Sequence, residues 1–185
     1  MTSVTQSPSE ANAGLIADLI RDVPDFPKPG IMFKDITPLL ARPSGLAAAV
    51  TELVAASPRD VDLVVGMEAR GFIFAAPIAL ALGAGFVPVR KPGKLPGATV
   101  SETFALEYGT ETLTVHSDAI PAGARVLVVD DVLATGGTVA ATAALLKQLD
   151  AELVQVSVLL ELTALDGRAK LAEHGIERVS SVLRA

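Results

Sequence analysis

The spacing of hydrophobic and polar positions changes along the chain, and each change marks an element. Residues 1 to about 10 are polar and predict a frayed leader. Leu15, Ile16, Leu19, Ile20 and Val23 then recur at helical spacing, predicting an amphipathic helix ended by Pro24. From Pro24 to Pro38 the prolines and Gly30 impose a stiff, non-helical course, with Ile31-Met32-Phe33 as a short extended piece. A second amphipathic helix is expected from Gly45 to about Ala56, through Leu46, Val50, Leu53 and Val54. Val61–Val65 reads as a buried strand, Gly71–Leu82 as a core helix and Phe86–Val89 as the next strand. Thr99–Leu106 and Thr110–Val115 alternate loosely about Gly109 and predict a β-hairpin flap. Val126–Val129, with no polar residue, is a strand buried on both faces. A helix over Thr138–Leu149, a strand over Leu153–Leu160, a helix over Leu165–His174 closed by Gly175, and an edge strand or tail over Ile176–Leu183 complete the order. Alternation of strand and helix from Val61 onward implies one α/β domain, a mostly parallel twisted sheet with helices on both faces.

The most informative stretch follows Val129. Asp130 and Asp131 come where a buried strand leaves the sheet, and Ala134, Thr135, Gly136, Gly137 and Thr138 lead into a helix. A glycine turn at a helix N-terminus presents backbone N–H groups and a positive dipole end to an anion. Adjacent carboxylates accept hydrogen bonds from hydroxyls, so the pair of features suits a phosphorylated sugar. Neither a Walker Gly-Lys-Ser/Thr nor a Gly-x-Gly-x-x-Gly fingerprint is present. Two charged loops follow other strands: Gly66–Gly71, carrying Glu68 and Arg70, and Arg90–Gly97, carrying Arg90, Lys91 and Lys94. Each, taken alone, reads equally as a solvated turn; Phe33 and Leu162, taken alone, read as core.

Composition narrows the class. Half of the 185 residues are hydrophobic and only 4% aromatic, an Ala/Val/Leu-built globular chain with room for a buried core. A net charge of −6 argues against a nucleic-acid-coating protein. Without cysteine there is no disulfide framework and no thiolate chemistry, which suits a cytoplasmic protein. No secretory signal pattern is expected at the start. Gly71–Val89 is uncharged and long enough for a membrane span, but Pro77, Gly83, Gly85 and Pro88 divide it, so no membrane segment is predicted. His116 and His174 lack ligand-like neighbours and read as surface or supporting residues.

The stretch Val126–Thr138 resembles the phosphoribosyl-pyrophosphate (PRPP) motif of the type I phosphoribosyltransferases over its whole length. Pro24–Pro38 and Leu106-Glu107-Tyr108-Gly109 resemble segments of the adenine-specific branch. The resemblance implies that Asp130 and Asp131 hold the ribose hydroxyls and that Ala134–Thr138 cradle the 5-phosphate. It implies pyrophosphate binding by Arg70, Arg90, Lys91 and Lys94, with a cis peptide at Glu68–Ala69. Met32, Phe33, Lys34 and Leu162 would line the adenine pocket, Lys34 standing where that family commonly has Arg. Lys lacks the planar multi-donor fork. Glu107, next to Tyr108 on a mobile flap, would manage the base proton, with Arg70 as the second catalytic group. The implied reaction is adenine plus PRPP to AMP plus pyrophosphate, with Mg²⁺ carried mainly by PRPP and water rather than by protein ligands. A homodimer is implied, and neither nucleic acid nor membrane is an expected partner. Two other readings stand beside it: transfer to another base, and a PRPP-sensing regulator without catalysis.

Overall fold

The computed structural model describes residues 9–105 and 110–185. Its centre is a five-stranded, all-parallel sheet built from β3 (Leu63–Met67), β4 (Gly85–Val89), β7 (Arg125–Leu133), β8 (Glu152–Glu161) and β9 (Val179–Arg184). The spatial order is β4-β3-β7-β8-β9, which places β7 in the middle. Successive side chains alternate across the sheet. Val126 and Val128 therefore face α5 (Gly137–Gln148), whereas Leu127 and Val129 face α3 (Pro43–Ala55) and α4 (Gly71–Leu82). A register shift leaves Val154 of β8 without a partner between Leu153↔Val126 and Gln155↔Leu127. Such a bulge moves the later residues of β8 by one face, putting Val156 and Val158 on the α5 side and Leu159 opposite. Helices thus cover both faces, as the alternation predicts.

Several boundaries differ from expectation, for physical reasons. The first helix, α1, covers only Glu10–Asp18, and Val23 belongs instead to strand β1 (Arg21–Pro24), paired antiparallel with β2 (Met32–Asp35). Cross-strand ion pairs, Arg21–Asp35 at 2.6 Å and Lys34–Asp22 at 2.7 Å, reinforce that ladder and override the helical spacing of Ile20 and Val23. A short helix α2 (Thr37–Ala41) was not evident from periodicity; Pro38 in its first turn starts it and Leu39 anchors it in the core. The strand at Val126–Val129 continues through Asp130 and Asp131 to Leu133, because β8 pairs with it all the way to Leu133↔Glu161. Pairing with β3 stops at Val129. The last helix is split into a 3₁₀ turn (Thr163–Leu165) and α6 (Gly167–Glu173), with Asp166 at positive φ between them.

The flap is a two-stranded antiparallel ribbon, β5 (Thr99–Ala105) and β6 (Thr110–His116). It is fastened to the segment after β4 by an antiparallel bridge, Arg90 N–H to Thr114 O at 2.9 Å and Thr114 N–H to Arg90 O at 2.7 Å. Glu107 and Tyr108 lie outside the described residues. Among the described residues, no helix is long and apolar enough to cross a membrane.

Candidate active site

The C-terminal ends of β3, β7 and β8 open into a cleft of about 410 Å³. Its floor is the projecting end of β7, Asp130 to Val132, continued by Ala134 and Thr138. Thr135, Gly136 and Gly137 line a small adjoining recess together with Asp130, Ala134 and Thr138. Gly136 adopts φ +85°, a left-handed conformation that frees the turn to enter α5. Behind it, α6 presses so closely that a Cβ on Gly167 would stand 2.1 Å from Ala134 O.

The two carboxylates sit in a low-dielectric corner. Asp131 is 4% exposed, and its own N–H donates to Asp130 Oδ1 at 2.9 Å. Arg70 Nε comes within 2.8 Å of Asp131 Oδ2. The angle misses hydrogen-bond geometry, leaving that buried oxygen without a hydrogen bond among the described residues. Burial raises the Asp130 pKa well above the usual carboxylate range, and the Asp131 charge adds to it. Burial also raises Asp131, opposed by Arg70. A site that holds two crowded acids in this state gains when a ligand donates hydroxyl hydrogens to them. Among the described residues, no three His, Cys, Asp or Glu side chains converge as metal ligands.

One wall comes from β2. Phe33 meets Phe26 edge-on at 5.0 Å, and the Arg70 guanidinium lies 5.2 Å from the Phe33 ring centre. Met32, Phe33 and Lys34 line the cleft with Leu162 and Leu165 across from them. The Lys34 ammonium is engaged by Asp22 on the neighbouring strand. The other wall is cationic but already paired. Lys91 contacts Glu111 Oε1, and its backbone N–H donates to Glu68 Oε2 at 3.0 Å. That N–H, with Arg90 Nε at 3.3 Å, pulls the Glu68 pKa down, while the bond to Glu111 raises Lys91. Arg90 and Lys94 are not among the residues lining the cleft; the Arg90 guanidinium donates to the Lys94 carbonyl. The Glu68–Ala69 peptide is cis, as the resemblance implies.

Residues 35–180 match the family model described as phosphoribosyl transferase domain. The chain is 69% identical over 169 residues to a protein of Cutibacterium acnes named adenine phosphoribosyltransferase, covering 91% of this chain and 96% of that one. The chain belongs to the adenine phosphoribosyltransferases. The crystal structure of the phosphoribosyltransferase from Thermoanaerobacter pseudethanolicus is similar at TM-score 0.89 and 48% identity, covering 94% of this chain and 99% of that one. The yeast adenine phosphoribosyltransferase, solved with an imino-altritol bisphosphate and adenine, gives TM-score 0.85 at 38% identity, with 95% and 100% covered. These neighbours share the type I phosphoribosyltransferase fold with the chain.

Sequence reasoning alone missed Glu111 and the cluster behind Leu162 in this phosphoribosyltransferase. Glu161 is 3% exposed, yet it receives both forks of Arg168 at 2.9 and 2.6 Å, Arg184 at 3.3 Å and the Ser181 hydroxyl at 2.9 Å. These partners hold its pKa at about 2, the Arg168 hydrogen bonds being the main cause. The available signal was a lone acid ending an apolar strand, a position that demands a cation from elsewhere in the fold.

Proposed function

We propose that the walls of this cleft divide the work of one transfer. The chain is an adenine phosphoribosyltransferase: it moves the 5-phosphoribosyl group from PRPP to adenine, giving AMP and pyrophosphate. The observation that carries the assignment of roles is the pair Asp130–Asp131 on the projecting end of β7, facing Phe33, Arg70 and Lys91 across one cleft. Asp130 and Asp131 accept hydrogen bonds from the ribose hydroxyls, which favours their ionised state. Backbone N–H groups from Ala134 to Thr138, at the positive end of α5, take the 5-phosphate. Adenine lies against Phe33, with Leu162 on its far side and Met32 and Lys34 along its edge.

The bond between the anomeric carbon and the pyrophosphate oxygen loosens, and the electron pair leaves with pyrophosphate. Arg70 and Lys91, supported by Arg90 and Lys94 on the same loop, stabilise that charge. Adenine N9 then attacks the anomeric carbon and gives up its proton, with Glu107 as acid/base partner and Tyr108 beside it on the flap. Mg²⁺ supplies further neutralisation of the pyrophosphate. The hard carboxylate oxygens of Asp130 and Asp131 suit such an ion chemically, but with no converging ligand set among the described residues it would be held mainly by PRPP. Positioning supplies much of the rate.

The fold serves this as one domain in the cytoplasm. Ile73, Leu80 and Phe86, exposed on α4 and the edge strand β4, support a homodimer; a solution mass equal to one chain would refute it. The decisive assay follows pyrophosphate release from Mg²⁺–PRPP with adenine, hypoxanthine, guanine, xanthine and orotate in parallel. Turnover with adenine alone is expected. Turnover with another base would overturn the reading of the Phe33 wall, and PRPP binding without any turnover would make the protein a sensor.

A further inference from the structure

The cationic wall of the cleft poses a question that its pairing answers. A loop meant for a polyanion is expected to present open donors, but here Lys91 and much of the Arg90 guanidinium are engaged by two carboxylates of the same chain. Glu68 takes the Lys91 N–H and the Arg90 guanidinium. Glu111 takes the Lys91 ammonium. Glu68, Glu111 and Lys91 all line the cleft, so the carboxylates stand in the space a pyrophosphate would need.

The two acids differ in what they are attached to. Glu68 belongs to the turn after β3, whereas Glu111 rides on flap strand β6. The flap is joined to the loop after β4 by the Arg90–Thr114 bridge. Glu111 lies three residues farther out than Thr114, on the order of 10 Å along an extended strand, next to the first residue of β6, Thr110. The Lys91–Glu111 pair is therefore a further, removable fastening between the flap and the pyrophosphate loop, outward of the Thr114 bridge and of the His116 Nε2 contact with Pro96 O at 2.7 Å. Its side chains are 56% and 27% exposed, open enough for an incoming anion to compete.

We infer that Glu111 is an internal stand-in for pyrophosphate. Its carboxylate holds Lys91 in the unliganded enzyme, and pyrophosphate displaces it, releasing the outer part of β6 from the loop after β4. Arrival of the leaving group at its seat and freedom of the flap become one event. The exchange also lowers apparent affinity, because ligand binds only the fraction of molecules in which the ammonium is unoccupied. For a partly exposed ion pair that factor is modest, about two- to five-fold. The same factor applies to any ligand whose pyrophosphate needs that ammonium, PRPP included.

The inference rests on the assignment of Lys91 to pyrophosphate, and the experiment separates the two. Pyrophosphate affinity is measured by calorimetry for wild type, Glu111→Gln, Lys91→Met and the double variant. Amide hydrogen exchange is followed over residues 110–113. Glu111→Gln should bind pyrophosphate about two- to five-fold more tightly and show, without ligand, the fast exchange that wild type shows only with it. Lys91→Met should weaken binding, and adding Glu111→Gln to it should change nothing further. Unchanged or weaker binding by Glu111→Gln, while Lys91→Met still weakens it, overturns the stand-in role alone. Equal tightening in the Lys91→Met background overturns it too, since a general field effect would then be at work. Unaltered binding by Lys91→Met overturns the assignment of Lys91 itself.

Discussion

Arg70 Nε stands 2.8 Å from Asp131 Oδ2 while the same guanidinium covers the Phe33 ring at 5.2 Å. One side chain thus touches the groups assigned to ribose and to base, and it is the cation that opposes the burial of Asp131. Replacing Arg70 by Ala should raise the KM for PRPP and lower kcat, reducing kcat/KM by about 10²–10³. Steady-state kinetics with each substrate varied would check this. Arg70→Lys should recover only part of the loss, because Lys lacks the planar fork that reaches both groups. A full recovery would show that charge alone is needed.

The crowded acids give the unliganded protein a pH dependence of stability. The folded pKa of Asp130 lies above its unfolded value. The folded state therefore binds the extra proton, and stability falls as pH rises from the ordinary carboxylate range through the raised value. Asp130→Asn should remove that slope and raise the Tm of the unliganded protein at pH 7, while weakening PRPP binding at least ~10-fold. Thermal melts from pH 4 to 8 test the first half, and calorimetry with Mg²⁺–PRPP the second. A variant that melts lower at pH 7 than wild type would contradict the argument.

Glu161 has the opposite sign. Its pKa is lowered to about 2 from 4.5, chiefly by Arg168, so it stabilises the fold above the unfolded value and loses that contribution as pH falls toward 2. Asp35, lowered to about 2 by Thr37 and Arg21, adds to the same acid limb. Glu161→Gln should flatten the limb and lower stability at pH 7 by about 2–3 kcal/mol, after allowance for the exposure of Arg184. Because Leu162 and Leu165 follow directly, the KM for adenine should rise more than that for PRPP. Urea melts at pH 3 and 7, with kinetics on both substrates, decide it.

Gly167 and Ala134 touch backbone to backbone. A methyl at Gly167 would lie 2.1 Å from Ala134 O, and neither partner is a flexible side chain. Gly167→Ala should therefore displace the phosphate turn or the start of α6. Expected are a loss of about 2–4 kcal/mol of stability and a PRPP KM raised more than about ten-fold. Wild-type kinetics in this variant would mean that the turn relaxes freely.

Much of the architecture is legible locally because the parallel strands are apolar on both faces and the core helix α4 is apolar all round, divided from the next strand by glycines. Val126–Val129, Gly71–Leu82 and Leu153–Leu160 stand out for that reason. What spacing could not give depends on partners distant in sequence. Val23 looks helical until Phe33 pairs with it across β1 and β2. Asp130 looks like the first residue past a strand until Val158 extends the ladder beside it. Asp130 and Asp131 were reachable because the chemistry of a phosphorylated sugar constrains residue type locally, whereas Arg70 and Phe33, ambiguous by themselves, were reached through the family resemblance. Glu111 and Glu161 were not, since a carboxylate does not announce which distant cation it will meet.

The sheet has a step in it. Beside β3 the ladder on β7 ends at Val129, and beside β8 it runs on to Leu133. Asp130 and Asp131 consequently stand on a ledge carried by a single neighbour, open toward the loop of Arg70 and backed by later sequence. The phosphate motif is complete as a string of residues by Thr138. It becomes an oriented surface only once Glu152–Glu161 has docked alongside, so the rigidity of the proposed ribose seat is inherited from a strand that contains none of its acids.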